Sequence, residues 1–412
     1  MNFLSKVKQY PKIGLVLLTY VAFIALGMPD GLLGVGWPSI RAGFSIPLDA
    51  IGMLLAASVA GYMTSSFFSG PLMRWMGVGR MLAASCATTG LALTGYTLVP
   101  EWWMMVLLGI AAGLGAGAID AGLNTYAAAH FSHGLMQWLH ASWGIGVTLG
   151  PIIMTVALAS LNSWRVGYRI VGTFQLLLAL GFILSLKMWG QNNRPEGVQG
   201  ARRLTDYKTP LGKTLRHPQV WLSMLLFFLY VGAEASLGIW AYSLLTESRG
   251  VDPAVAGFFA GSYWATFTLG RVVAGLFTRR LGVDRLVLFG LAGAILGAVI
   301  LIWNPFEAAN VLAVALIGIS IAPIFPGLMS GTSQRVGDHY AANTIGMQMT
   351  ATGFGGAVIP GLMGVLARQV SLEVIPLCLL GVYVGLALTY LLASRVGKPL
   401  AAPEAGNPSQ AG

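Results

Sequence analysis

Three carboxylates stand where carboxylates are costly. Of the 14 Asp+Glu in the chain, only Asp30, Asp120 and Glu234 fall well inside long apolar runs. An ionisable group at such depth faces protein or a watery cavity rather than acyl chains, and its default role is functional. A carboxyl group there with no cationic partner takes up a proton readily and releases it when water reaches it. That is the chemistry of a proton carrier; the competing reading is a permanently protonated packing residue. Hydropathy places Arg169 and Arg271 near helix ends, so the acids are expected to lack a cation at their own depth. His140 adds a titratable ring at the level of Asp120 when depth is counted at about 1.5 Å per residue. An Asp120–His140 hydrogen bond near Asn124 and Gln137 is the expected proton relay.

A second set of residues suits recognition of a neutral polar solute. Trp143, Tyr230, Trp240, Tyr263 and Trp264 offer aromatic faces, and Asn124, Gln137 and Gln348 offer amides. Any one ring is equally an interfacial or packing residue; together with the amides they form a candidate substrate set. The expected lack of a buried cation argues against phosphate esters and dicarboxylates, which call for Arg or Lys in the cavity. Pro29, beside Asp30, frees backbone carbonyls. A sodium ion held by Asp30 and such carbonyls is therefore the rival to the proton as driving ion. His130 and His133 have no Cys or acid beside them and are not read as a metal site. No cofactor is called for. The G-x-x-x-x-G-K-[ST] phosphate loop is absent, which argues against ATP as the driving force.

The elements that must position these residues are membrane helices. The chain of 412 residues is 56% hydrophobic and only 9% charged. Its apolar runs of roughly 18–25 residues match the thickness a helix must cross, and twelve such runs are present. The short polar–apolar alternation of a transmembrane barrel is missing. The first helix is predicted over 13–37, with Pro38 ending it, and the eighth over 254–277. The basic start of the chain imitates a signal peptide, but its apolar part is too long and no A-x-A-like site follows. The polar stretch 190–218 reads as a linker between an N-terminal bundle (1–189) and a C-terminal bundle (219–396), and 397–412 as a disordered tail. Basic residues of the linker suit a solvated loop, with contact to anionic headgroups as the alternative.

The net charge of +10 is not a nucleic-acid footprint. With a cytoplasmic N-terminus, most of the 24 Lys+Arg fall in cytoplasmic segments; Arg41, Arg165, Arg169, Arg249 and Arg368 lie outside. This is the positive-inside asymmetry, and it predicts both termini in the cytoplasm. Cys86 and Cys378 sit in apolar runs and suggest no disulfide framework.

Three features repeat in the same order in each half. Asp30, Leu33 and Gly34 are echoed by Glu234, Leu237 and Gly238. Gly70, Leu72, Arg74, Gly77, Val78 and Arg80 are echoed by Gly275, Phe277, Arg279, Gly282, Val283 and Arg285. Gly144, Gly146 and Pro151 are echoed by Gly353, Gly355 and Pro360. Three collinear matches indicate an internal duplication.

The 6+6 duplication, the long central linker and the short basic loop resemble the major facilitator superfamily. That family's loop carries an Asp-Arg pair where this chain has Arg74-Trp75 and Arg279-Arg280. Within it, Asp30, the Asp120-to-Asn124 spacing, Leu139-His140 with Trp143, Gly144 and Gly146, and Tyr230 with Glu234 resemble the fucose permease group of sugar:proton symporters. The resemblance implies an all-α membrane protein with twelve transmembrane helices in two pseudo-symmetric six-helix bundles. It further implies a non-enzymatic secondary transporter that imports a monosaccharide with protons by alternating access. Asp30, Asp120, Glu234 and His140 would carry the proton. The expected setting is a multi-pass protein of the bacterial inner membrane, acting as a monomer. A drug or metabolite exporter of the same fold and a non-transporting sensor are the alternative readings.

Overall fold

The computed structural model describes residues 13–130, 133–189 and 210–396. Among the described residues, twelve long helices carry the fold. In the first half they are α1 (Ile13–Phe44), α2 (Ile51–Met76), α3 (Val78–Tyr96), α4 (Trp102–His130), α5 (His133–Leu161) and α6 (Trp164–Leu184). In the second they are α7 (Pro218–Ser243), α8 (Pro253–Leu281), α9 (Val283–Trp303), α10 (Glu307–Ile321, resuming as Ile324–Ser330 after Pro323), α11 (Asp338–Gln369) and α12 (Val374–Val396). Ten of the spans are long and apolar enough to cross a bilayer; α3 and α8 fall short of that apolarity. Most of the predicted linker, and the whole tail from 397, lie outside the described residues.

Backbone contact between helices explains where the glycines are. A Cβ on Gly146 of α5 would overlap the Ile24 carbonyl of α1, and a Cβ on Gly355 of α11 would overlap the Phe228 carbonyl of α7. These glycines are the repeated pair of the sequence, so the duplication appears as one helix crossing made twice. Without a hydrophobic drive between helices in lipid, such close approach is what holds them. The repeated loop is equally literal. Gly77 and Gly282 share a backbone (φ 79, ψ 158 and φ 79, ψ 157) that only glycine adopts without strain. Their N–H groups close the preceding helices on Met73 O at 2.9 Å and Thr278 O at 3.0 Å. Two residues past the second turn, Asp284 accepts from the Tyr390 hydroxyl at 2.8 Å and ties α9 to α12.

Two predicted helix limits are corrected. Pro38 does not end α1, which continues to Phe44; a membrane helix tolerates proline where neighbours re-satisfy the freed carbonyl. The added turns bring Arg41 to Glu247 of the second half. Helix α8 runs on to Leu281. This puts Arg271 ten residues, about 15 Å, from the helix end.

The ends of the bundle differ. At the far face, opposite the end where α1 begins and α12 stops, Arg41 pairs with Glu247, and Arg368 with Asp49 at 3.1 Å. Both pairs join one half to the other. Below them, Gly34 packs on the Gly238 and Ile239 backbone, Gly52 on Gly361, Gly353 on Met63 and Gly144 on Thr268. These contacts descend to mid-depth. Asp30, also at mid-depth, is nonetheless exposed.

Candidate functional site

The site lies around Asp30, at mid-depth where the two halves meet. Asp30 lies within reach of the Trp143 indole N–H, so α5 supplies the hydrogen-bonding neighbour of the α1 acid. Trp143 packs edge-on against Trp264 of α8, ring centroids 6.0 Å apart. The Arg271 guanidinium carbon lies 5.6 Å from the Trp143 ring centroid and 4.3 Å from that of Phe267. One indole therefore has an acid of the first half at its edge and a cation of the second half over its face. Charge–quadrupole attraction of this kind strengthens where the cation is desolvated.

Glu234 occupies the matching position on α7. Arg271, Tyr230 and Tyr383 are its electrostatic neighbours. The Tyr230 hydroxyl donates to Ile321 O at 3.2 Å, and the Tyr263 hydroxyl to the Glu234 backbone O at 2.9 Å. Each tyrosine has one proton and has committed it to a carbonyl. Glu234 Oε2 is left buried with no hydrogen-bond partner, and so is Arg271 Nε.

Asp120 is held differently. Its Oδ2 accepts from Tyr62 of α2, and its Oδ1 accepts from Asn124 Nδ2 at 2.7 Å. The expected Asp120–His140 bond is not formed. Both carboxylate oxygens are already served from α2 and α4, while the exposed His140 ring meets Phe23 edge-on at 5.8 Å. His140 is instead within the electrostatic range of Arg271.

Three further expectations are corrected. The site does contain a cation, Arg271, because α8 is longer at the terminal end than hydropathy suggested. The ground for excluding anionic solutes therefore falls away. Trp240 and Gln348 are fully buried and bonded between helices: Trp240 Nε1 donates to Pro360 O at 3.0 Å, and Gln348 Nε2 to Ser223 Oγ at 2.6 Å and Thr332 Oγ1 at 3.1 Å. They tie α7 to α11 and α11 to the short helix Thr332–Val336, and their polar atoms are spent in doing so. The carbonyl freed by Pro29 is that of Ala25, and Gln175 Nε2 of α6 caps it at 2.9 Å, so it is not left open to a cation. The side chains of Gln137, His130 and His133 lie outside the described residues. Among the described residues, no three His, Cys, Asp or Glu side chains converge as a metal site.

The sequence profile of the Major Facilitator Superfamily matches residues 19–360 and, again, 235–410. The chain is 25% identical over 415 residues to the bypass of stop codon protein 6 of Saccharomyces cerevisiae, covering 90% of this chain and 82% of that one. It is 22% identical over 361 residues to the glucose/mannose transporter GlcP of Bacillus subtilis (85% and 87%). It is 24% identical over 388 residues to the sodium-dependent glucose transporter 1A of Mus musculus (84% and 88%). Among solved structures, the nucleoside transporter NupG superposes with a TM-score of 0.72 at 16% identity, covering 93% of this chain and 98% of that one. A bacterial homologue of the human lysosomal transporter Spinster, in an inward-facing conformation, gives 0.69 at 13% identity (93% and 96%).

Proposed function

This chain belongs to the major facilitator superfamily, and on that premise we propose that it is a symporter of a small neutral polar solute, a monosaccharide, driven by protons through alternating access. One observation carries the reading: Asp30 is exposed at mid-depth while ion pairs tie the far face shut. A carboxyl group so placed exchanges its proton with one side only, and rocking of the halves would transfer that contact to the other side. Asp30 is the primary carrier. Asp120 and Glu234 act behind it, and His140 lies on the proton's way out.

We take the terminal face, flanked by Arg80, Lys187, Lys213, Arg216, Arg285, Arg335 and Arg395, as the cytoplasmic face of a bacterial inner membrane. The conformation is then inward-open. Relatives named as glucose transporters support the sugar reading. Arg271 at the site disfavours export of lipophilic cations, which it would repel.

The test is reconstitution into vesicles with a pH dye in the external medium and addition of a panel of sugars. The reading expects external alkalinisation on addition of its substrate, independent of sodium. Sugar uptake that requires sodium and leaves pH unchanged would transfer the driving role to sodium. Absence of uptake for every sugar would remove the assignment.

A further inference from the structure

Arg271 and Glu234 are oppositely charged neighbours, yet they are not among the ion pairs formed by the described residues. Each also keeps an unspent group: Nε–H on the cation and Oε2 on the acid are buried and have no partner. Leaving such groups unmade costs each its desolvation. The surrounding hydroxyls do not resolve this. Tyr263 donates elsewhere, the Tyr383 hydroxyl is itself unpartnered, and Tyr230, whose proton goes to Ile321 O, lies within hydrogen-bond reach of both Glu234 and Arg271 without serving these two atoms. A donor and an acceptor held apart beside an aromatic face match two neighbouring hydroxyls on one ring. One hydroxyl accepts from the guanidinium, and the next donates to the carboxylate.

Resting on the sugar reading above, we propose that Arg271 and Glu234 are a split recognition pair for a vicinal diol of the substrate ring, which stacks against Trp143. The pair is assembled only by the second half: Glu234 stands on α7 and Arg271 on α8, with Tyr263 and Phe267 between them. Trp143 is the contribution of the first half. A bound ring therefore touches both halves, as a solute that promotes their closure must. The pair also sets specificity. A site that hydrogen-bonds hydroxyls through charged groups rejects the analogue lacking one, because its own buried groups are then left unmatched.

The test is calorimetric binding to the purified full-length protein. The ligands are D-glucose, D-galactose, D-mannose and L-fucose, then the monodeoxy derivatives of whichever binds, and D-glucuronate. In the wild type, removal of either hydroxyl of one adjacent pair should weaken binding roughly 10- to 100-fold. Arg271→Gln and Glu234→Gln should each weaken the parent sugar by a similar factor, yet leave the matching deoxy derivative bound as in the wild type. That non-additivity marks a direct contact. Arg271→Lys, which keeps the charge but not the planar fork, should fall between and guards against a variant that fails to fold. Equal weakening of the parent and every deoxy derivative would overturn the pair while leaving the sugar reading intact. Tighter binding of D-glucuronate than of any neutral sugar would overturn it in favour of a carboxylate on Arg271. No binding by any sugar would remove both the pair and the reading beneath it.

Discussion

Arg271 and Trp143 belong to opposite halves of the molecule and meet with the guanidinium carbon 5.6 Å from the indole centroid. The same indole carries Asp30 at its N–H edge. Whatever moves the halves apart at this level moves a cation away from the ring that contacts Asp30, the acid proposed to carry the proton. Coupling between ion and solute then needs no long wire, because one side chain reports on both.

Closure of the far face is modest in strength. Arg41–Glu247 and Arg368–Asp49 are partly solvent-exposed pairs, each worth roughly 0.2–1 kcal/mol. Arg41→Ala with Arg368→Ala should therefore shift, not abolish, the balance of conformations, raising the far-face-open fraction several-fold. Spin labels on Ala42 and Val370, both exposed, should report a longer distance population in the double variant. An unchanged distance distribution would mean that the packed glycines, not the ion pairs, hold this face.

Asp120 depends on Tyr62 for one oxygen and Asn124 for the other. Tyr62→Phe leaves Oδ2 without its donor, and a hydrogen bond to a charged group is worth roughly 1.5–3 kcal/mol. The expected result is at least a tenfold loss in proton-driven accumulation, with exchange of solute down its gradient largely kept. Equal loss in both assays would make Tyr62 a packing residue.

Much of the scaffold is legible in the sequence. The repeated Gly-x-Gly and Gly-Val elements correspond to the same crossing and the same turn in both halves, because backbone contact and positive φ tolerate no other residue. Asp30, Asp120 and Glu234 were legible because carboxylates in apolar runs are rare. Arg271 lies deeper than hydropathy places it, since the end of α8 is polar. The donor that Pro29 calls for by freeing the Ala25 carbonyl is Gln175, which carries no signal of its own in the sequence. Trp240 and Gln348 illustrate the remaining gap: residue type does not say which face of a helix a side chain occupies.

Helix crossings make a sharp stability contrast. A Cβ at Gly113 would overlap the Ser58 backbone, whereas nothing lies within 4 Å of one at Gly275. Gly113→Ala should cost roughly 1–3 kcal/mol, the usual penalty for overpacking, and Gly275→Ala should be neutral or slightly stabilising. Thermal unfolding of the purified protein in detergent compares them; equal melting temperatures would contradict the packing described for α2 and α4.

The Arg249 side chain is buried and binds Glu373 through Nε at 3.0 Å and Nη2 at 2.7 Å. This holds the Glu373 carboxyl below the usual carboxylate range, with the Ser248 hydroxyl adding to the effect. A carboxyl lowered on folding stabilises the protein above its unfolded value, about 4.3, and loses that contribution as pH falls through the folded value. The melting temperature of Glu373→Gln should accordingly lie below that of the wild type at pH 7, and the difference should shrink on acidification below about 4.3. A gap that persists unchanged at low pH would contradict the pairing.

The role of Asp30 is tested most directly by Asp30→Asn in reconstituted vesicles, with counterflow and uphill accumulation measured on the same preparation. The account predicts that counterflow survives while accumulation and the associated pH change disappear, since the amide binds no proton but leaves the cavity intact. An Asp30→Asn protein that still concentrates its solute against a gradient would contradict it.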